Sequence, residues 1–126
     1  MEKWQLIFYE RSGRCPVQTY LDDLRKSNEN EYRLLMEKVN LLEEFGTGVT
    51  YFLGNKFYKP LRDGIFELKY KKHRLLYFYH KNKIIILLHG FRKDSDKTPE
   101  SEIENAKRER AVSYTHLRAH ETSAHL

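Results

Sequence analysis

The residues best suited to chemistry lie between Glu67 and Lys97. Glu67, Lys69 and Lys71 alternate along one stretch, Lys72 and Arg74 follow, and Arg92, Lys93 and Lys97 close the segment. Cations gathered around one phosphate stabilise the dianionic phosphorane of phosphodiester cleavage, because fixed positive charge meets charge that develops in the transition state. Arg74 stands among Leu, Tyr and Phe. A guanidinium there must pair with an acid or face a cleft, since burying it alone is costly. Glu67 is the acid within reach, so three readings stand: Arg74 bound to substrate phosphate, a structural Glu67–Arg74 pair, or Glu67 holding Arg74 in place for phosphate. His73, His80 and His89 have the pKa range for proton transfer. His89, at the end of an apolar run, reads as a satisfied structural histidine, and His73 as a turn residue. No two of them have metal-ligand spacing on one element, so no metal is expected. Tyr70, Tyr77 and Tyr79 are candidates for stacking bases, with the core as the plainer fate for most.

The elements that must position these groups can be read from the apolar pattern. Phe66, Leu68 and Tyr70 alternate with the charged set, Arg74–His80 is rich in Leu, Tyr and Phe, and Ile84–Leu88 is continuously apolar. Breaks of hairpin length at residues 71–73 and 81–83 predict an antiparallel meander of three strands. Upstream, Trp4–Tyr9 reads as a strand. Pro16 opens a helix with Val17, Tyr20, Leu21 and Leu24 on one face. Asn28 and Glu31 resemble a capping box for a second helix, whose stripe of Tyr32, Leu35, Val39, Leu42 and Phe45 ends at Gly46. Thr47–Asn55 reads as a loop, and Pro60 confines residues 57–61 to an edge. Thr98, Pro99 and Glu100 predict a last helix with Thr98 as its N-cap, Ile103 and Ala106 on its contact face, and acids early and bases late. The expected class is α+β, in the order β-α-α-β-β-β-α: a helical hairpin packed on one face of a small antiparallel sheet, with Lys and Arg on the other face.

A chain of 126 residues fits one domain. Its net charge of +5 is uneven: residues 56–97 sum to +8, residues 1–55 to −2 and residues 98–111 to −1. A patch of this kind attracts polyanions, nucleic acid above all. The single cysteine, Cys15, excludes an internal disulfide framework and a cysteine-based zinc site. No apolar run approaches the ~20 residues that cross a bilayer, and the N-terminus lacks a secretory pattern. A cytoplasmic location without membrane association is expected.

Residues 112–122, VSYTHLRAHET, resemble the in-frame translation of a sequencing-library adapter. Residues 1–111 are therefore expected to form the domain and 112–126 to be a non-native tail that contributes nothing to it. His116, His120 and His125 in that tail are not read as a metal cluster, and the native C-terminus is expected to be missing.

The run GIFELKY, then HRLLYFY, then IIILLHGFRKDSDKTPESEIENAKRE resembles the RelE/HigB toxin superfamily, in particular its phage-derived HigB-like branch. The matching positions are Gly64, Phe66, Glu67, Leu68, Arg74, Leu87, Leu88, His89, Gly90, Phe91, Lys93, Thr98 and Pro99. Lys69 stands where that branch usually has Arg, which keeps charge and loses a bidentate contact. The resemblance implies the toxin of a type II toxin–antitoxin system: an mRNA interferase, a metal-independent endoribonuclease acting on ribosome-bound mRNA by attack of the RNA's own 2′-hydroxyl, with no cofactor. It implies Arg74 at the scissile phosphate, Lys69 and Lys93 as supporting cations, Glu67 as structural support, and Lys71, Lys72, Arg92 and Lys97 on the RNA or ribosome backbone. The implied partners are a cognate antitoxin, the ribosome and mRNA. A non-enzymatic, gyrase-inhibiting toxin and an inactive binding module are the alternatives.

Overall fold

The computed structural model describes residues 3–94 and 97–124, with side chains described as far as Thr115. Strand β1 (Gln5–Phe8) leads into helices α1 (Pro16–Ser27) and α2 (Glu29–Phe45). Pro16 occupies the first turn of α1, where its missing N–H costs nothing. Asn28 caps α2 as expected. Its side chain accepts from the Glu31 backbone N–H at 3.1 Å and donates to the Glu31 carboxylate at 2.7 Å. Gly46 ends α2 at φ +55° with the Trp4 ring against it, so a Cβ there would lie 2.0 Å from the indole. The expected loop after Gly46 is instead a 3-10 turn (Gly46–Gly48) and a one-turn helix, α3 (Val49–Leu53), anchored by buried Val49.

Four more strands follow: β2 (Tyr58–Pro60), β3 (Phe66–Tyr70), β4 (His73–His80) and β5 (Ile84–Arg92). They join β1 in one sheet of order β1-β5-β4-β3-β2. The meander is antiparallel as expected, but β1 pairs with β5 in parallel, so the sheet is not antiparallel throughout. The path through the two helices brings the chain back to lay β1 beside β5 in that sense. Lys71 at φ +53° makes the tight β3–β4 turn.

The α1–α2 hairpin covers one face of the sheet. Val17, Leu21, Leu35, Val39 and Leu42 meet Leu68, Leu75, Tyr77, Ile85 and Leu87 in a core that also buries Tyr58. The other face corrects the expectation of exposed Lys and Arg. Helix α4 (Glu100–Ala124) lies across it, over Ile65, Leu76, Phe78, Ile86 and Leu88. That face needs a cover because β4 and β5 are apolar on both sides. Thr98 does not cap α4, which begins one residue later than expected, with the Pro99 carbonyl accepting from Glu102 N–H. Nor does the structure break at residue 111. Ile103, Ala106, Glu109 and Ser113 form one buried stripe at helical spacing, Val112 packs on the second core, and Tyr114 sets its ring edge-on to Phe78. In this structure the packing of α4 therefore runs past residue 111. The histidines at 116, 120 and 125 lie outside the described side chains.

One irregularity sets the geometry of the site. Leu76 pairs with His89 and Tyr77 with Leu87, which leaves Leu88 as an extra residue in β5. This bulge changes the alternation of the strand. Leu88 and His89 both turn toward α4, and from Gly90 onward the even-numbered residues face the hairpin. At Gly90 the Tyr20 ring lies so close that a Cβ would sit 2.9 Å from it.

Candidate active site

The β3–β4 turn and the end of β5 meet at one end of the sheet. Lys69 lies opposite Arg74 and His73 opposite Arg92, and Lys93 N–H donates to the Lys72 carbonyl at 2.8 Å. The strand register brings Lys69, Lys72, Arg74, Arg92 and Lys93 to this end, divided into a buried set and an exposed set, whereas Lys97 lines a groove with Lys59, Pro60, Leu61 and Arg62. Lys71, Lys72, Arg92 and Lys97 are exposed, Lys69 is half-buried, and Arg74, Lys93 and Glu67 are buried. Lys72 pairs with Asp94 at 3.1 Å.

On the α4 side the buried set is closely tied. Arg74 is 3% exposed and Glu67 1%. Arg74 Nη1 donates to the Lys71 and His73 carbonyls at 2.6 and 2.9 Å. Its Nε lies 3.5 Å from Glu67 Oε1, an ion pair too long for a good hydrogen bond. The Thr98 hydroxyl donates to that same oxygen at 2.6 Å, and Lys93 Nζ lies 3.4 Å from Thr98 Oγ1. Of the three readings of Arg74, the Glu67 pairing is present. The guanidinium also holds the carbonyls of the turn that carries Lys71 and Lys72.

On the hairpin side the same strand ends carry a second polar chain. Tyr20 OH lies 2.6 Å from His73 Nδ1, and His73 Nε2 lies 2.8 Å from Glu31 Oε1. His73 is 1% exposed, which corrects its reading as a turn residue: it is the first residue of β4, inserted between α1 and α2. The His73 hydrogen bond, with smaller help from Lys71 and Arg92, holds the Glu31 carboxyl below its usual range. Burial raises the Tyr20 phenol above its ordinary pKa, against the pull of Arg92 and Arg74.

Elsewhere, His89 is held between Glu109 at 2.5 Å and Glu102 at 3.2 Å, the structural role expected of it. Burial lowers its pKa, but the hydrogen bond and charge of Glu109, followed by Glu102, outweigh that and raise it. Tyr77 is fully buried and Tyr79 donates to the Gly46 carbonyl, so both belong to the core rather than to a base-stacking platform.

Tyr20, Glu31 and Thr98 were not legible as site residues. Each had an adequate local reading, as helix stripe, capping partner and N-cap, and no spacing along the chain ties α1 or α2 to the start of β4.

A family model described as "Phage derived protein Gp49-like (DUF891)" matches residues 22–111, which include α2, the meander and the first part of α4. The chain belongs to the phage-derived Gp49-like family. No curated protein matches the Gp49-like chain. Among solved structures it is similar to a chain of the toxin–antitoxin complex RelBE2 from Mycobacterium tuberculosis. The identity is 19%, 72% of this chain and 99% of that one are covered, and the TM-score is 0.43. No helix among the described residues of the Gp49-like chain is long and apolar enough to cross a membrane.

Proposed function

We propose that this chain is the toxin of a type II toxin–antitoxin pair, of the RelE/HigB kind, and that it cuts mRNA on the translating ribosome in the cytoplasm. Membership of a phage-derived family and the motif run from Gly64 to Pro99 support the toxin reading. The observation that carries the nuclease reading is the cationic end of the sheet, where exposed Lys71, Lys72 and Arg92 stand beside buried Arg74 and Lys93 and half-buried Lys69. In this reading the RNA 2′-hydroxyl attacks the adjacent phosphate, and the 5′-oxygen departs to leave a 2′,3′-cyclic phosphate. Arg92 and Lys71 take the direct phosphate contacts because they are exposed, and Lys72 and Lys97 hold neighbouring backbone. Arg74, Lys69 and Lys93 supply positive potential from behind, in a setting drier than water where each charge counts for more. The reaction uses no metal or cofactor. A cognate antitoxin covers this end or the hairpin.

One observation favours the alternative, a non-enzymatic toxin or an inactive binding module. Arg74 is already occupied by Glu67 and two carbonyls. Mapping mRNA 5′ ends in bacteria after inducing the chain, with Arg92→Ala alongside, separates the two. The nuclease reading expects new cuts inside translated frames that the variant lacks. Growth arrest without cuts would remove it.

A further inference from the structure

Cleavage by a 2′-hydroxyl needs a group to take its proton, and the cations at this end of the sheet cannot accept one while charged. The hairpin side carries a hydrogen-bonded chain that can. Glu31 is held ionised, so His73 Nε2 carries the hydrogen that faces it, and Nδ1 is left to accept from the Tyr20 hydroxyl. This is the logic of a nucleophile–histidine–carboxylate chain with a phenol at its reactive end. Tyr20 is half-buried and lines an open cleft with Arg14, Thr19 and Gly90. Arg92, the strand partner of His73, faces the same side.

We propose that Tyr20, His73 and Glu31 form the proton-transfer chain of this site, with Tyr20 taking the proton of the attacking 2′-hydroxyl of an RNA substrate. The proposal rests on the nuclease reading above. As the 2′-oxygen bonds to phosphorus, its proton passes to Tyr20 while the phenol's own proton passes to His73 Nδ1. The imidazolium is held against the Glu31 carboxylate. The P–O5′ bond breaks with its electron pair on the 5′-oxygen, which takes a proton from a water; the hydroxide so formed takes a proton from the Tyr20 hydroxyl, and His73 Nδ1 returns its proton to Tyr20, so that water, phenol and neutral imidazole are restored. Burial keeps Tyr20 from standing as a phenolate, so the hand-off to His73 is required. Tyr20 is the catalytic residue of the chain; His73 and Glu31 act through it. The charged and titratable groups around the chain are Arg74, Arg92 and Lys71, with Tyr70 opposite His73 on β3 and Arg14 and Asp23 on the cleft wall.

The test is single-turnover cleavage of a defined message on 70S ribosomes, with ribosome affinity measured alongside, for wild type, Tyr20→Phe and Glu31→Gln. Tyr20→Phe keeps the ring over Gly90 and should cut about 100-fold more slowly with unchanged ribosome affinity. Glu31→Gln should slow the cleavage step by a similar order, with ribosome affinity and melting temperature unchanged, because the imidazole loses the partner that fixes its tautomer. Wild-type cleavage rates in Tyr20→Phe or in Glu31→Gln would overturn the chain while leaving the nuclease reading intact. If Tyr20→Phe does not fold, Glu31→Gln decides alone. A wild-type protein that does not cut would overturn the nuclease reading itself, and the chain with it.

Discussion

His73 and His89 lie on opposite faces of one sheet, each buried between two side-chain partners, yet their partners suit them to different work. His89 faces two carboxylates, Glu109 and Glu102, both from α4. Their hydrogen bonds and charge favour the imidazolium, and His89 fastens α4 to β5 through both of them. His73 faces one carboxylate and one phenol, from two different helices. A phenol can hand over its proton and a carboxylate cannot, which makes the His73 arrangement a path for a proton and the His89 arrangement a clamp. What a buried histidine can do is set by what its second partner can donate.

The contrast extends to the cations. On the α4 side Arg74 and Glu67 are closed off by Thr98 and Lys93, while on the hairpin side Arg92 is exposed beside the phenol chain. Removing a member of the closed side should cost most. Arg74→Ala leaves Glu67 buried without its guanidinium and frees two turn carbonyls, and should destabilise the fold by about 3 kcal/mol in urea unfolding. A change below 1 kcal/mol would show that the closed side is not structural.

The clamp can be tested by pH. The folded pKa of His89 is raised, so its stabilisation is fully present below the unfolded imidazole value, ~6.5, and is lost as pH rises through the higher folded value. The gap in melting temperature between wild type and His89→Gln should be widest near pH 6 and narrow as the solution becomes alkaline. A gap that widened with pH would invert the assignment. The smallest expected effect is at the end of α4. Ending the chain after Ala111 removes the packing of Val112 and the Tyr114–Phe78 ring contact, worth about 1 kcal/mol together. An unchanged melting temperature would bear out the expectation that residues 112–126 are inert.

Much of the fold was legible because its elements carry strong local signals. Pro16, Asn28 and Gly46 mark helix ends by backbone chemistry, and Ile84–Leu88 can only be a buried segment. The cover over the second sheet face was less legible. β4 and β5 are apolar on both sides, but the alternating Lys of β3 suggested an open face, and only Ile103 and Ala106 hinted at the helix that closes it. The bulge at Leu88 had no signal, since Leu87, Leu88 and His89 read equally well in either phase. At the site, the cations and the Glu67–Arg74 pair could be foreseen, because charge in an apolar strand demands a partner. The Tyr20–His73–Glu31 chain could not. It depends on how the hairpin sits over the start of β4, and each of its members had a satisfactory local role.

The central claim, that this end of the sheet cleaves RNA through the RNA's own 2′-hydroxyl, is tested most directly with purified protein and ribosomes programmed with two otherwise identical messages. One carries ribose throughout and the other a single 2′-deoxy nucleotide at the cut site. The account predicts cleavage of the first to a 2′,3′-cyclic phosphate and no cleavage of the second at that position. A folded protein that leaves the ribose message intact, or cuts the 2′-deoxy message equally well, would contradict it.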